Sequence, residues 1–535
     1  MKIKNFKVKI SYLLITLLYI TLLYSYKGVL LYNTDVAFLV NRARNMLVCL
    51  QDGNVPWFYY NDLYGVGYGS SFFYGQLTIY PFLPLLLISD SVFVVAYYIT
   101  ALLIEIIGVR EFCKRFTTNF DFITILYFCC TLTVFTSGVF KMFANVLGLG
   151  LGFLFLAFCV DFFRDKKSFL PSSILFYLLL NTHLITTLIC FSISVLLFIY
   201  YKGYKNITEM IKFFITTTTL CCYNIANFLY HKDSLADTVA INQNILTDDN
   251  RLSAYTLKVI PCGDVIQYII TGKYNGLSLC SIVLFCTIFF LIAKKFKIFS
   301  IKLKMVTTAC VALLLLSIKN VWGFINLNIY TFRMQFPIRY LPFILLVLLL
   351  LAFSSGISIK FKLYTLLYNF MYSFVLICLI NGFVGNTFLP SSINSTEGMI
   401  GNGEYLSKNF YYSEYELYTR SKILYDDNNN QYVYDISKGV LTFDINTTED
   451  TVVYIPKLFY KGYVAYLDDT SLYIYEGQSQ FAEIMVPENS SGVVTVFYKH
   501  PSRLKILDLI CLVIFIQLCL QIFFTQYCRR SKLNV

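Results

Sequence analysis

Residues 10–31, ISYLLITLLYITLLYSYKGVLL, form an apolar block that is long enough to cross a bilayer as a helix. A spanning helix needs about 20 predominantly apolar residues. No small-residue cleavage site follows the block, so it does not have the form of a signal peptide. Similar blocks recur along the chain as far as residues 503–526. The sequence therefore predicts an α-helical polytopic membrane protein that retains this first helix.

The composition favours the same fold class. Of the 535 residues, 57% are hydrophobic and 14% are charged, whereas about 25% of the residues of soluble domains are charged. The net charge of +12 comes from basic clusters in short segments between the apolar blocks, and such clusters are typical of cytoplasmic loops. The basic excess therefore orients the chain and does not indicate a nucleic-acid partner.

The apolar blocks predict about twelve spans in a cell membrane, with both termini cytoplasmic. The predicted spans are 10–31, 91–110, 120–138, 142–162, 169–182, 183–201, 212–230, 277–294, 304–322, 338–355, 362–384 and 503–526. The fifth and sixth could instead form one long tilted helix, which would change the parity of the count. Two spans are favoured because basic residues flank both ends and Asn181-Thr182-His183 lies between them.

The long polar segments then lie on the extracytoplasmic side. Residues 1–384 form a polytopic domain, and 32–90 is its first outer loop. Residues 385–502 form an outer domain, and residues 503–535 form the last span with a cytoplasmic tail. Because the polar residues concentrate on the outer face, we expect the protein to work there.

The outer domain 385–502 has the pattern of a β-rich unit. Tyr, Val, Ile and Phe alternate with polar residues at 431–436, 471–475 and 493–498, and turn-forming clusters separate these runs, as expected for strands. The domain has no cysteine, so disulfides do not build it. We expect a small β-sandwich anchored by the last span.

The first outer loop is the richest in residues that could carry chemistry. Asp35 precedes a predicted helix at 36–51 that carries Arg42 and Arg44. Asp35 fits a helix N-cap, or alternatively a carboxylate held at the membrane surface as a general base. The two arginines are either surface charges or phosphate ligands.

A glycine- and aromatic-rich stretch, residues 64–75, follows in the same loop. Its glycines would let the backbone approach a ligand closely, and its aromatic rings suit a membrane interface or stacking on a sugar. Gly65-x-Gly67-x-Gly69 is not a nucleotide-binding fingerprint, because no βαβ pattern surrounds it.

Two further candidates lie far along the chain. His183 is either a packed, hydrogen-bonded residue or a contact for a phosphate or hydroxyl group. Gln335-Phe336-Pro337-Ile338-Arg339 opens a span on its outer side. Arg339 could extend its side chain to the membrane surface or bind a phosphate bidentately.

These motifs, in this order, resemble a known family. An Asp after the first span, the following arginines and the aromatic stretch leading to Tyr80-Pro81 resemble the first outer loop of GT-C membrane glycosyltransferases. The segments 182–184 and 335–339 fit the same pattern. In the outer domain, 403–406, 460–463 and 493–498 resemble the bacterial YfhO-like branch of that superfamily.

The resemblance implies a transferase whose donor is a polyprenyl-phosphate-linked sugar and whose acceptor is a cell-surface polymer, lipid or protein. Asp35 would be the catalytic base. The implied substrate-binding residues are Arg42, Arg44, His183, Gln335 and Arg339. The loop lacks an Asp-x-Asp pair, so a divalent metal is not expected. Membrane lipid and the lipid-linked donor would be partners.

Two other functions stay open at this stage. A transporter or flippase for a lipid-linked glycan would carry charges within its spans and a repeated pair of broken helices. The predicted spans contain few charges, of which Glu105 is one, and no clear repeat. A non-catalytic protein that assists cell-envelope assembly would keep the fold and tolerate the loss of Asp35.

Overall fold

The computed structural model describes the larger part of the chain. The described residues are 34–72, 75–134, 143–165, 167–203, 207–231, 288–293, 299–316, 340–353, 419–477 and 480–533, with single positions between 12 and 16 and at 296. Gln335 and Arg339 lie outside the described residues. The same holds for most of the predicted spans 10–31, 277–294 and 362–384 and for residues 385–418.

The described part of the polytopic region is helical. Its helices, with the C-terminal one, are α1 Thr34–Gln51, α2 Leu83–Leu86, α3 Asp90–Lys114, α4 Phe120–Val134, α5 Phe143–Asp165, α6 Leu170–Leu180, α7 Leu184–Tyr200, α8 Ile207–His231, α9 Ile301–Leu316, α10 Leu341–Phe353 and α11 Ser502–Leu533. Residues 52–82, called the first loop below, contain two short 3₁₀ helices, Gly69–Phe72 and Tyr80–Phe82.

Three of these helices have stretches long and apolar enough to cross a membrane: Asp90–Lys114, Val146–Asp165 and Ser502–Thr525. Leu170–Leu180, Leu184–Tyr200 and Leu341–Phe353 are apolar but shorter than the roughly 20 residues that a span needs. Within the described ranges the clear spans are thus fewer than the sequence predicts, and residues 169–201 form two short helices, Leu170–Leu180 and Leu184–Tyr200.

Helices α3 and α5 form the centre of the helical region through small residues. A Cβ atom on Gly150 would lie 2.6 Å from the backbone nitrogen of Glu105, and one on Gly108 would overlap the carbonyl oxygen of Gly150. Close backbone approach at glycine is typical of helix packing in membranes. Buried Glu105 accepts a hydrogen bond from the Tyr127 hydroxyl at 3.2 Å.

Ion pairs collect at the C-terminal end of α3. Arg110 Nε lies 2.8 Å from Asp121 Oδ1, and Arg115 Nη2 lies 2.9 Å from Asp161 Oδ2. The N-terminal end of α3, at Asp90, lies next to the first loop. The basic cluster predicted to be cytoplasmic and the first loop therefore lie at opposite ends of a helix about 37 Å long.

The break between α6 and α7 is a short turn, so the structure has two helices where one long helix was the alternative. Asn181 Nδ2 donates to the carbonyl of Tyr177 at 3.0 Å, which turns the amide back onto the end of α6. His183 has an extended backbone and caps α7.

The C-terminal domain contains eight antiparallel strands. They are β1 Tyr425–Asp426, β2 Tyr434–Ser437, β3 Val440–Asn446, β4 Thr451–Leu458, β5 Tyr463–Leu467, β6 Thr470–Glu476, β7 Phe481–Val486 and β8 Ser491–Tyr498. The sheet order is β1-β4-β7-β6-β5-β8-β3-β2. All three segments in which the sequence alternates contain strands.

The predicted sandwich of two separate sheets is wrong, because one strand joins the two halves. The first part of β6 pairs with β5, for example Leu472 with Ala465. The second part pairs with β7, for example Tyr475 with Glu483. Hydrogen bonding is therefore continuous from β1 to β2, and the domain is a single curved sheet.

Candidate functional site

The candidate site is built on one face of α1. Positions 35 and 42 are seven residues apart, which is about two helical turns, so both backbone positions lie on the same side of the helix. Asp35 is the second residue of α1, and its side chain lies outside the described part of the structure. Asp35 therefore lies inside the helix and not at its N-cap, while its role as a base stays a prediction.

Arg42 is a buried cation at the centre of this face. Its side chain is 3% exposed. Nη2 donates to the Gly75 carbonyl at 3.3 Å, and the guanidinium carbon lies 5.6 Å from the centre of the Phe38 ring. Burial raises the pKa of Tyr59 to about 12, and the nearby charge of Arg42 opposes that rise. The charge of Arg42 therefore acts on Tyr59 of the first loop.

Asp62 supplies a buried carboxylate that the sequence reasoning missed. Its Oδ1 accepts from Asn41 Nδ2 at 2.6 Å and from the backbone nitrogen of Leu63 at 2.8 Å. Burial raises the pKa of Asp62 to about 6, although its hydrogen bonds and the charge of Arg42 act to lower it. Among the described residues, Oδ2 has no hydrogen-bond partner. The only feature of the sequence that points to Asp62 is that this acidic residue lies within a run rich in aromatic residues.

The first loop also contacts the turn between α6 and α7. A Cβ atom on Gly75 would overlap the Cα atom of Asn181. Thr182 Oγ1 lies 3.4 Å from Thr78 Oγ1. Because Gly75 also accepts from Arg42, the structure brings together Arg42 and the turn that contains His183, although the two are 141 residues apart in the chain (183 − 42).

His183 is buried at this turn and is hydrogen-bonded within it. Its Nδ1 accepts from the backbone nitrogen of Thr186 at 3.2 Å and lies 2.7 Å from Thr186 Oγ1. These bonds cap the first turn of α7. They match the packed alternative considered for this residue, while its contact with a donor phosphate stays a prediction.

Arg44 lies on the opposite side of α1 from Arg42, because two residues rotate a helix by about 200°. Its guanidinium forms a bidentate ion pair with Asp90, in which Nε lies 3.0 Å from Oδ1. The pair ties α1 to the start of α3. A role for Arg44 in phosphate binding stays a prediction.

The glycines of the aromatic stretch approach the protein's own rings. Gly67, with a φ of +88°, leaves room for the Phe58 ring, because a Cβ atom there would lie 2.8 Å from Phe58 Cζ. A Cβ atom on Gly69 would lie 2.7 Å from Tyr460 Cε1. Gly67 therefore makes room for a ring of the first loop itself, and Gly69 lets the β-domain pack onto that loop, where a ligand had been expected.

Lys457 anchors the β-domain to the same loop. Its side chain is 1% exposed, and Nζ donates to the carbonyls of Gly65 and Tyr60, the latter at 3.4 Å. The backbone nitrogen of Leu458 donates to Val66 at 2.9 Å. Burial lowers the pKa of Lys457 to about 8. Nothing in the sequence indicates this contact, since Lys457 has the pattern of an ordinary strand residue.

Stacked rings join the first loop to α8 and α11. Phe72 stacks on His231, with ring centres 3.6 Å apart. Trp57 stacks on His500 at 5.1 Å and donates from Nε1 to Asp508 at 2.9 Å. The loop is thus held between the helices and the β-domain, as a rigid site requires.

The arrangement offers a cation, a buried carboxylate and a cluster of amide and hydroxyl groups at one end of the helices. Within the described ranges, no group of three His, Cys, Asp or Glu residues could hold a metal. Comparison of the chain with protein-family models, curated proteins and solved structures gives no match.

Proposed function

We propose that the chain is a membrane glycosyltransferase of the GT-C type, with about twelve spans. It moves a sugar from a polyprenyl-phosphate-linked donor to a polymer, lipid or protein acceptor at the outer face of a cell membrane. The observation that carries the proposal is buried Arg42, which lies on the same face of α1 as position 35 and bonds to Gly75, next to the Asn181 turn.

Membrane insertion is supported by α11. Its most apolar stretch is only 6% buried within the protein, and large side chains such as Leu509 and Phe523 are more than half exposed. An uncovered apolar surface of this size is unfavourable in water. The 24 residues of Ser502–Thr525 would be about 36 Å long and would match a hydrocarbon core of about 30 Å.

The chemistry needs few groups. Asp35 would accept the proton of the acceptor hydroxyl as that hydroxyl attacks the anomeric carbon. Arg42 would stabilise the charge that develops on the leaving phosphate, since a guanidinium in a water-poor site does this strongly. A lipid-linked donor fits a site at the end of the helices, because its chain can stay in the bilayer.

A non-catalytic assembly protein is the second candidate. The observation that favours it is that Gly67 and Gly69 pack against the protein's own aromatic rings. A first loop stabilised in this way could present the β-domain without performing a reaction. That function predicts that the identity of residue 35 does not matter as long as the fold is kept.

Surface glycans of cells that lack the protein test the choice between the two. The cells are rescued with wild type, Asp35→Ala or Asp469→Ala, all at matched abundance. Asp469 is an exposed acid between β5 and β6 and serves as the control. The transferase proposal expects the missing sugar to return with wild type and Asp469→Ala only. Equal rescue by Asp35→Ala would favour the assembly function.

A further inference from the structure

A row of three tyrosines and one glutamate crosses four neighbouring strands of the β-domain. Tyr425 on β1 is paired with Tyr454 on β4, Tyr454 with Glu483 on β7, and Glu483 with Tyr475 on β6. Directly paired residues of antiparallel strands lie on the same face. The four side chains therefore form one line, about 14 Å long at the usual strand spacing.

A second row lies beside the first. Tyr473 and Met485 are paired with each other, and each is two residues from a member of the first row, so they share its face. Tyr473 is 70% exposed and Met485 is 44% exposed. The rings of Tyr473 and Tyr475 lie 5.4 Å apart and nearly parallel, as do those of Tyr425 and Tyr454 at 4.7 Å. We call the six residues of both rows the tyrosine platform.

Glu483 places a carboxylate within the platform. The residue is 8% exposed, and Oε1 lies against Gly477, where a Cβ atom would overlap it. Burial raises the pKa of Glu483. The hydrogen bond from Tyr475 and the charge of Arg420 oppose that rise. The platform therefore combines flat rings, phenol hydroxyls and one recessed acceptor.

We propose that the tyrosine platform binds a linear glycan, which would be the acceptor polymer if the transferase function proposed above holds. Tyrosine rings offer apolar faces to the C–H faces of sugar rings, and their hydroxyls remain free for hydrogen bonds at the edges. Sugar hydroxyls would donate to Glu483. A line of sites across four strands suits successive units of a polymer better than a single sugar.

The recessed carboxylate argues for a glycan over a second protein molecule. Glu483 already accepts from Tyr475, but its remaining acceptor positions would meet no donor on an apolar protein surface, and covering them in this way is costly. A glycan satisfies both parts of the platform at once, because every sugar unit combines an apolar face with several hydroxyl donors.

Binding of the full-length protein in detergent to surface polysaccharide extracted from the cells that make it tests this proposal. The polysaccharide is immobilised, and no donor lipid is present. We expect wild type to bind and Tyr454→Ala/Tyr475→Ala to bind at least about tenfold more weakly. Tyr466→Ala should bind like wild type, because Tyr466 stacks on Phe497 in the other half of the sheet.

Two single variants keep the test independent of folding. Tyr473→Ala removes a mostly exposed ring, and Glu483→Gln keeps the shape of the carboxylate but removes its charge. Each should weaken binding while the thermal unfolding of the protein stays close to that of wild type. The proposal is wrong if wild type does not bind the polysaccharide or if all platform variants bind it equally well.

The same samples separate this proposal from the transferase proposal. If the platform binds polysaccharide but the purified protein does not consume a lipid-linked donor, the transferase function fails and the glycan site stands. If donor is consumed but no polysaccharide binds, the platform proposal fails alone.

Discussion

Gly75 lies directly against Asn181, so closely that a Cβ atom on Gly75 would overlap the Cα atom of Asn181. The first loop and the turn between α6 and α7 therefore touch backbone to backbone. Because Gly75 also accepts a hydrogen bond from Arg42, this single contact joins the two parts of the candidate site.

Gly75→Ala should separate the two parts. The added methyl group meets backbone, which cannot rotate away, so we expect the loop to shift and the rescue of surface glycan to fall about tenfold or more. Gly53→Asn is the matched control, because the space around Gly53 is open and Asn tolerates a positive φ. Equal rescue by both variants at matched abundance would show that the contact is unimportant.

Asp62→Asn should change how stability depends on pH. The native pKa of Asp62, about 6, lies above the ordinary value, so the folded protein binds the proton more tightly than the unfolded one. This carboxyl therefore lowers stability as pH rises from about 4 to 7, by roughly 3 kcal/mol in total. The asparagine variant should lose that slope.

Unfolding midpoints of the detergent-solubilised protein across this pH range measure the effect. His500 contributes the opposite slope, because burial lowers its pKa to about 4. The informative quantity is thus the difference between wild type and Asp62→Asn at each pH. A constant difference would mean that Asp62 does not titrate in this range.

Lys457→Met should loosen the β-domain from the first loop. The substitution keeps the length of the side chain but removes both hydrogen bonds to loop carbonyls, so two buried acceptors lose their donor. We expect amide hydrogen exchange at residues 58–67 to become about tenfold faster. Lys461→Met, an exposed neighbour that lies over the Tyr230 ring, should leave exchange there unchanged.

Arg42→Gln and Arg44→Gln should have different consequences. Arg44 pairs with Asp90, and the arginine of that pair is 41% exposed, so its loss should cost about 1 kcal/mol of stability or less. If this ion pair is the whole role of Arg44, glycan rescue should stay near wild type. Arg42→Gln removes the buried cation of the site and should reduce rescue about a hundredfold. A similar loss for both variants would mean that Arg44 also acts on the substrate.

The sequence indicated the outline of this molecule because its signals are local. Apolar blocks located α3, α5 and α11, and alternation located three of the eight strands, β2, β6 and β8. It also singles out Arg42 and the turn at His183, which the structure brings together at Gly75. These predictions rest on residue type and spacing alone. Both reflect local physical patterns such as helix length and strand period.

What the sequence could not indicate depends on long-range contacts. Lys457 binds carbonyls almost 400 residues earlier in the chain, Asp62 accepts a hydrogen bond from Asn41, and Gly69 makes room for the Tyr460 ring of the β-domain. None of these partners is near in sequence. The pairing of β6 with two neighbours, which converts the expected sandwich into one sheet, is likewise set by register and not by composition.

Turnover of the donor lipid by the purified protein tests the central claim most directly. The protein is placed in vesicles made from lipids of the cells that produce it, with their surface polysaccharide added, and polyprenyl-phosphate lipids are followed by mass spectrometry. We predict that wild type converts sugar-loaded lipid to free polyprenyl phosphate, while Asp35→Ala and Arg42→Gln do not. Folded wild type that leaves the lipids unchanged would contradict the account.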